Sequence, residues 1–233
     1  MKLKPRLGAI RTHLGLLAGL VVALAVEPLF AHASLVAAQL ADTVLGLLLL
    51  AMFLSLCRKW EERRTGMLLF IPVLVSNVAH AALTGYDERL AAITFHGTVA
   101  VFLGFAVVVI VRQLFRVSII RVDDVIGAMV GYVLAAMAWS HVYGVAYILA
   151  PTAFDVNPEI VPQLANWRLR RILFDHLSFT TLTTIGYGDI TPVGSPMYAL
   201  VWIETIFGQF YMAVVVAQLV GLKLAQALRD KTP

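Results

Sequence analysis

Six apolar stretches, at approximately 13–30, 34–57, 66–84, 91–115, 124–150 and 196–222, leave this chain little choice but to fold as membrane-crossing helices. Crossing a hydrocarbon layer about 30 Å thick takes about 20 apolar residues in helical form. Hydrophobic residues make up 60% of the 233 and charged residues 14%, against about half and about a quarter in a soluble domain. The expected fold class is an all-α integral membrane protein with six spans. Between the last two spans lies a mixed segment, 151–195, that is too polar to cross. No stretch of soluble-domain composition remains, and the tail beyond Leu222 is short. The lone Cys57 excludes an intrachain disulfide, and no period betrays internal repeats.

The basic residues set the orientation, because Lys and Arg are retained on the cytoplasmic side. With the N-terminus inside, only Arg89, Arg168, Arg170 and Arg171 fall on the outer side. The net charge of +4 therefore reports topology, and no nucleic-acid partner is expected. The chain reads as a multi-pass protein of a cell (inner) membrane, both termini cytoplasmic. Its first stretch also has the outline of a cleavable leader, with a basic start, an apolar run from Leu14 to Val26 and Ala31-His32-Ala33 before Ser34. Cleavage would leave a mature chain beginning inside a membrane helix, so a retained first helix with a tight outer turn is expected.

The run Thr183-Thr184-Ile185-Gly186-Tyr187-Gly188-Asp189 lies in the mixed segment. Gly186 and Gly188, two apart, allow backbone angles that alternate in hand, since left-handed angles cost little only for glycine. Such alternation turns successive carbonyls to one side, where they can replace the water around a cation. An apolar, Thr-rich segment precedes the run and a membrane stretch follows it.

On these residues the chain resembles the tetrameric potassium-channel superfamily, whose filter is a Thr-x-Gly-Tyr-Gly stretch usually followed by Asp. In arrangement it looks like a small prokaryotic ion channel with four helices before a two-helix pore module. The resemblance implies a potassium-selective, non-enzymatic homotetramer in contact with membrane lipids, with K+ as permeant ion and no cofactor. It divides the chain into a four-helix N-terminal domain at 1–123, a pore domain at 124–225 and a short cytoplasmic tail at 226–233. It makes 174–182 the pore helix and assigns K+ coordination to Thr184, Ile185, Gly186, Tyr187 and Gly188. Asp189, Thr183 and Thr180 would support the filter. Gly208 stands at the spacing of an inner-helix hinge, Met212 and Val216 would face a cavity, and Val220 and Leu224 would line the inner constriction.

Two family features are missing. Places where some members carry a Trp pair and a carboxylate partner for the post-filter Asp hold His176, Leu177 and Thr180 here, so the network around Asp189 must be built differently. The four preceding helices lack Arg or Lys at every third position, which a voltage sensor requires. Arg112, Arg116 and Arg121 cluster at the cytoplasmic end of the fourth and read as anchors. No regulatory partner can be named.

Glu204 stands inside the last apolar stretch, four residues before Gly208. A carboxylate at that depth should face protein or cavity, with Ser178, Thr180, Thr181 or His176 as candidate partners through which it would support the filter; a protonated glutamate in ordinary helix packing is the alternative. Glu27, His32, Asp42, His80, Asp87, His96 and His141 fall in the outer half or just outside, where they could respond to pH, bind a divalent ion or serve helix packing. Arg168, Arg170 and Arg171 are expected to pair with Asp155, Glu159, Asp175 or lipid phosphates. Rival readings are a weakly selective cation channel, a transporter subunit, and a diheme cytochrome using His pairs such as His80 and His96.

Overall fold

The computed structural model describes residues 7–30, 35–57, 59–82, 88–117 and 121–229. Seven α-helices account for nearly all of it: α1 Leu7–Val26, α2 Leu35–Leu56, α3 Trp60–Ala82, α4 Glu88–Leu114, α5 Val122–Leu149, α6 Trp167–Leu182 and α7 Ser195–Arg229. Two three-residue strands, β1 Phe154–Val156 and β2 Ile190–Pro192, pair antiparallel, with Asp155 opposite Thr191. Short 3-10 turns fill Glu27–Phe30, Pro151–Ala153 and Val161–Ala165.

Local chemistry sets the helix ends. Glu27-Pro28 stops α1, because a residue before proline is pushed out of the helical region. The Asp124 side chain folds back to accept from the Arg121 N–H at 2.9 Å at the start of α5. Asn166 caps α6, its side-chain oxygen accepting from Arg168 N–H at 3.0 Å. α7 opens after Gly194, whose φ of +87° makes the turn, and places Pro196 in its first turn, where a missing N–H is harmless.

Among the described residues, α4, α5 and α7 are long and apolar enough to cross a membrane, and shorter apolar helical stretches run Leu17–Leu29 and Leu40–Leu56. The chain is thus an all-α, multi-pass membrane protein. α3 is helical over the expected third span as far as Ala82, but its first turns carry Glu61, Glu62, Arg63 and Arg64, and it contains Pro72.

Two cores hold these helices. The larger joins α1–α5 with the end of α6 and the middle of α7. Phe53, Phe70 and Phe102 cross at its centre, with centroids 5.3–5.7 Å apart. α2 and α3 meet closely at Gly66, where a Cβ would fall 1.9 Å from the Phe53 ring. The smaller core lies under the strand pair and gathers Tyr143, Phe154, Phe174, Leu177, Ile190 and Met197. It seats α6 against α5 and the start of α7, and so fixes both ends of the loop 183–189.

Candidate functional site

The loop after α6 turns with an alternating hand. Thr184, Gly186 and Gly188 have φ of +62°, +52° and +77°, while Ile185 and Tyr187 between them do not enter that region. The two glycines do what their spacing implied. Thr184 does it as well, although a β-branched residue at positive φ is a rare and strained conformation. Residues 183–188 are all exposed in the single chain, and no Cβ at Gly186 or Gly188 would meet another atom within 4 Å.

Both ends of the loop are tied. At its start, Thr184 N–H donates to the Thr181 carbonyl at 3.0 Å, and Ile185 and Gly186 N–H both donate to the Thr180 carbonyl, at 2.8 and 3.2 Å. Thr183 hydroxyl donates to the Phe179 carbonyl at 2.6 Å. Thr180 supports the loop through its backbone, because its hydroxyl is spent on His176 and Leu177 carbonyls of its own helix. At the far end, β2 is paired to β1, and Asn157 N–H donates to the Asp189 carbonyl at 2.9 Å.

The missing network around Asp189 is supplied by His176. Its Nε2 lies 3.1 Å from Asp189 Oδ2, and its ring stacks on Tyr187 at 5.5 Å with 9° between planes. One imidazole thus touches the loop and the residue after it.

Glu204 is fully buried and faces protein, as the cost of a carboxylate at that depth required. Ser178 is one partner, its hydroxyl 2.5 Å from Oε1. The other is the Tyr143 hydroxyl of α5, which the sequence reading missed. Neither Thr180 nor His176 reaches it. Two further tyrosines were also unforeseen: Tyr132 donates to the Leu182 carbonyl at 2.9 Å, and Tyr211 to the Ala128 carbonyl at 2.7 Å. A tyrosine inside an apolar helix needs a partner for its hydroxyl, and that requirement was the available signal.

Gly208 sits in unbroken helix, packed under the end of α6, where a Cβ would be 2.7 Å from the Leu182 carbonyl oxygen. Met212, Val216, Val220 and Leu224 continue the same i, i+4 row as an exposed apolar stripe.

Other expectations need correction. α6 begins at Trp167, seven residues before the expected pore-helix start at Phe174. Arg171 pairs neither with Asp155 nor with Glu159; it donates to Glu27 and, at 2.8 Å, to Asp42. Arg170 lies over the Tyr147 ring and Arg168 over Trp167. His96 and His141 meet each other, Nδ1 to Nδ1 at 2.8 Å. His32, Asp87 and the Ala31-His32-Ala33 turn lie outside the described residues, as does the side chain of His80. No group of three or more metal-ligating side chains occurs among the described residues. Arg112, Arg116 and Arg121 are exposed at or beyond the end of α4.

Residues 171–222 match the sequence model of the ion-channel family, a family of two-helix pore-loop channels. The match runs from α6 through the loop and most of α7, and is consistent with a pore-loop channel in that part of the chain. No curated protein and no solved structure matches the chain. The match supports ion-channel activity for the chain.

Proposed function

We propose that this protein is a potassium-selective channel, a homotetramer of six-span subunits that conducts K+ through carbonyls of Thr184, Ile185, Gly186, Tyr187 and Gly188. The observation that carries the reading is the alternation of left-handed angles at Thr184, Gly186 and Gly188. A chain whose φ changes hand at every residue aims consecutive carbonyls one way, and a queue of carbonyls is what a dehydrated cation needs. One chain supplies one side of such a ring, so four copies are required. The surfaces they would bring to a common axis, residues 183–188 and the stripe Met212–Val216–Val220–Leu224, are exposed in the single subunit. Residues 124–225 then form the pore domain and 1–123 an accessory domain, with both termini cytoplasmic in the inner membrane of the cell and lipid on the outer faces.

The test is a bi-ionic reversal potential on the reconstituted protein. Potassium should be strongly preferred over sodium; equal permeabilities would overturn the reading. Gly186→Ala makes the same point from the other side. Within its own chain it meets no steric neighbour, so the intrachain effect is the strain of φ +52°, about 1–2 kcal/mol in each subunit. Tetramers should still form while potassium flux or selectivity is lost.

A further inference from the structure

The accessory helices reach the pore helix through one buried ionic cluster, away from the filter. Arg171, on α6, is buried and bridges two elements of the accessory domain. Its Nε donates to Glu27 after α1 at 2.8 Å, and its Nη2 to Glu27 and to Asp42 of α2, the latter at 2.8 Å. One turn further along α6, Asp175 lines the same cavity of about 50 Å³, with Asn77 of α3 and His141 of α5. That volume holds a few waters. Glu27 and Asp175 also border a wider groove on the other side, together with His176, which faces Asp189.

The charges do not balance. Among the described residues, Glu27, Asp42 and Asp175 are three carboxylates around one guanidinium. Uncompensated charge inside a membrane protein is costly, and a buried group relieves it by binding a proton. Among the described residues, the other titratable groups facing the cluster are His141 and, behind it, His96 of α4. A contact of 2.8 Å between two Nδ1 atoms needs one N–H and one lone pair. A second proton on that pair turns the acceptor into a donor and breaks the contact. His96 has no slack, since a Cβ on Gly144 would be 2.8 Å from its Nδ1.

We propose that this cluster is a proton-binding site through which pH controls the pore helix and hence conduction. Each step is proton uptake alone: a carboxylate oxygen of Asp42, Glu27 or Asp175 gains a hydrogen and no heavy-atom bond changes. Arg171 then loses a charged acceptor, and its hold on the accessory helices weakens. α6 carries that change to the loop, because the Thr180 carbonyl holds the N–H groups of Ile185 and Gly186. Acidification therefore lowers conduction. The current readout rests on the channel reading above; a second readout does not.

Currents through the full-length protein in bilayers, with each side taken from roughly pH 8 to pH 5, should fall about tenfold. Asp42→Asn mimics the protonated state and should show the acid-level current already at the alkaline end. Asp175→Asn, which removes no bond to Arg171, should shift the midpoint. Potassium selectivity should be unchanged in both, which separates failure of this site from failure of the filter assignment. Independently of conduction, hydrogen exchange of residues 167–182, corrected for intrinsic rates, should quicken on acidification of wild type and be quick throughout in Asp42→Asn. A pH-flat exchange profile in wild type overturns the proposal. So does a pH response that both variants leave unaltered.

Discussion

Glu204 and Ser178 stand 2.5 Å apart in the protein interior, and the same Ser178 hydroxyl is 2.7 Å from the Ala136 carbonyl oxygen. A serine has one hydroxyl hydrogen for these two acceptors. Tyr143 donates to the other oxygen of Glu204. With Glu204 protonated and donating to Ser178 each of the three contacts has its own hydrogen; with it ionised, Ser178 shares one hydrogen between Glu204 and the Ala136 carbonyl. α5, α6 and α7 are thereby pinned at one point beneath the loop.

The substitution pair Glu204→Ala and Glu204→Gln tests this arrangement. Alanine strands the Tyr143 hydroxyl, at about 1–3 kcal/mol, and opens a cavity. It should lower the melting temperature of the protein and shorten its conducting periods. Glutamine can donate to Ser178 and accept from Tyr143, so it should stay near wild type. A glutamine variant as damaged as the alanine one would show that charge, not hydrogen-bond geometry, is what the site requires.

His176→Phe separates two roles of one ring. Phenylalanine keeps the stack on Tyr187 and loses the 3.1 Å contact to Asp189. Loss of that bond, worth about 1 kcal/mol in each subunit, should shorten open bursts in single-channel recordings with little change in assembly. His176→Gln, a donor without the ring, should restore part of the burst length. Equal bursts in all three proteins would remove the contact from the loop's support.

How much of this was legible beforehand follows from how local each feature is. Gly186 and Gly188 announce a left-handed alternation because few other residues tolerate it. Thr184 conceals its share, since a β-branched residue is the last that propensity would put there. Burial at depth is a one-residue argument and placed Glu204 against protein, but its Tyr143 partner is 61 positions away. Arg171 was expected to pair with acids near it in sequence; Asp175 is beside it, but its hydrogen bonds reach residues 129 and 144 positions away. The early start of α6 went unread because Arg168, Arg170, Arg171 and Asp175 interrupt the apolar pattern; the Asn166 cap was the available signal.

Gly208→Ala addresses the close approach of α7 to α6. The added methyl would lie 2.7 Å from the Leu182 carbonyl oxygen, and that carbonyl also accepts from Tyr132 at 2.9 Å. Overpacking of this kind costs about 1–3 kcal/mol and must push α7 away from the base of the loop. Stability in detergent should fall measurably and conductance with it. A hinge role alone would alter opening kinetics and leave stability untouched, so a thermal melt distinguishes the two.

Voltage should barely affect opening, and the reason lies in where the charges are. α4 carries Arg89 near its start and Arg112 in its last turn, with no Asp, Glu, Lys or Arg between them. Arg112 and Arg116 are exposed, as side chains reaching for an interface are. Asp42 lies within α2, but it is bonded to Arg171 of α6 and is held there rather than free to travel. Moving one elementary charge through the full field yields about 2.3 kcal/mol per 100 mV, so steep gating needs several charges free to travel. None of the described helices offers such a row. Open probability between about −100 and +100 mV should therefore change by less than about threefold. Arg112→Gln with Arg116→Gln should leave that relation as it was. A steep conductance–voltage curve that flattens in the double variant would mean that these arginines cross the field, and the anchoring role given to them would be wrong.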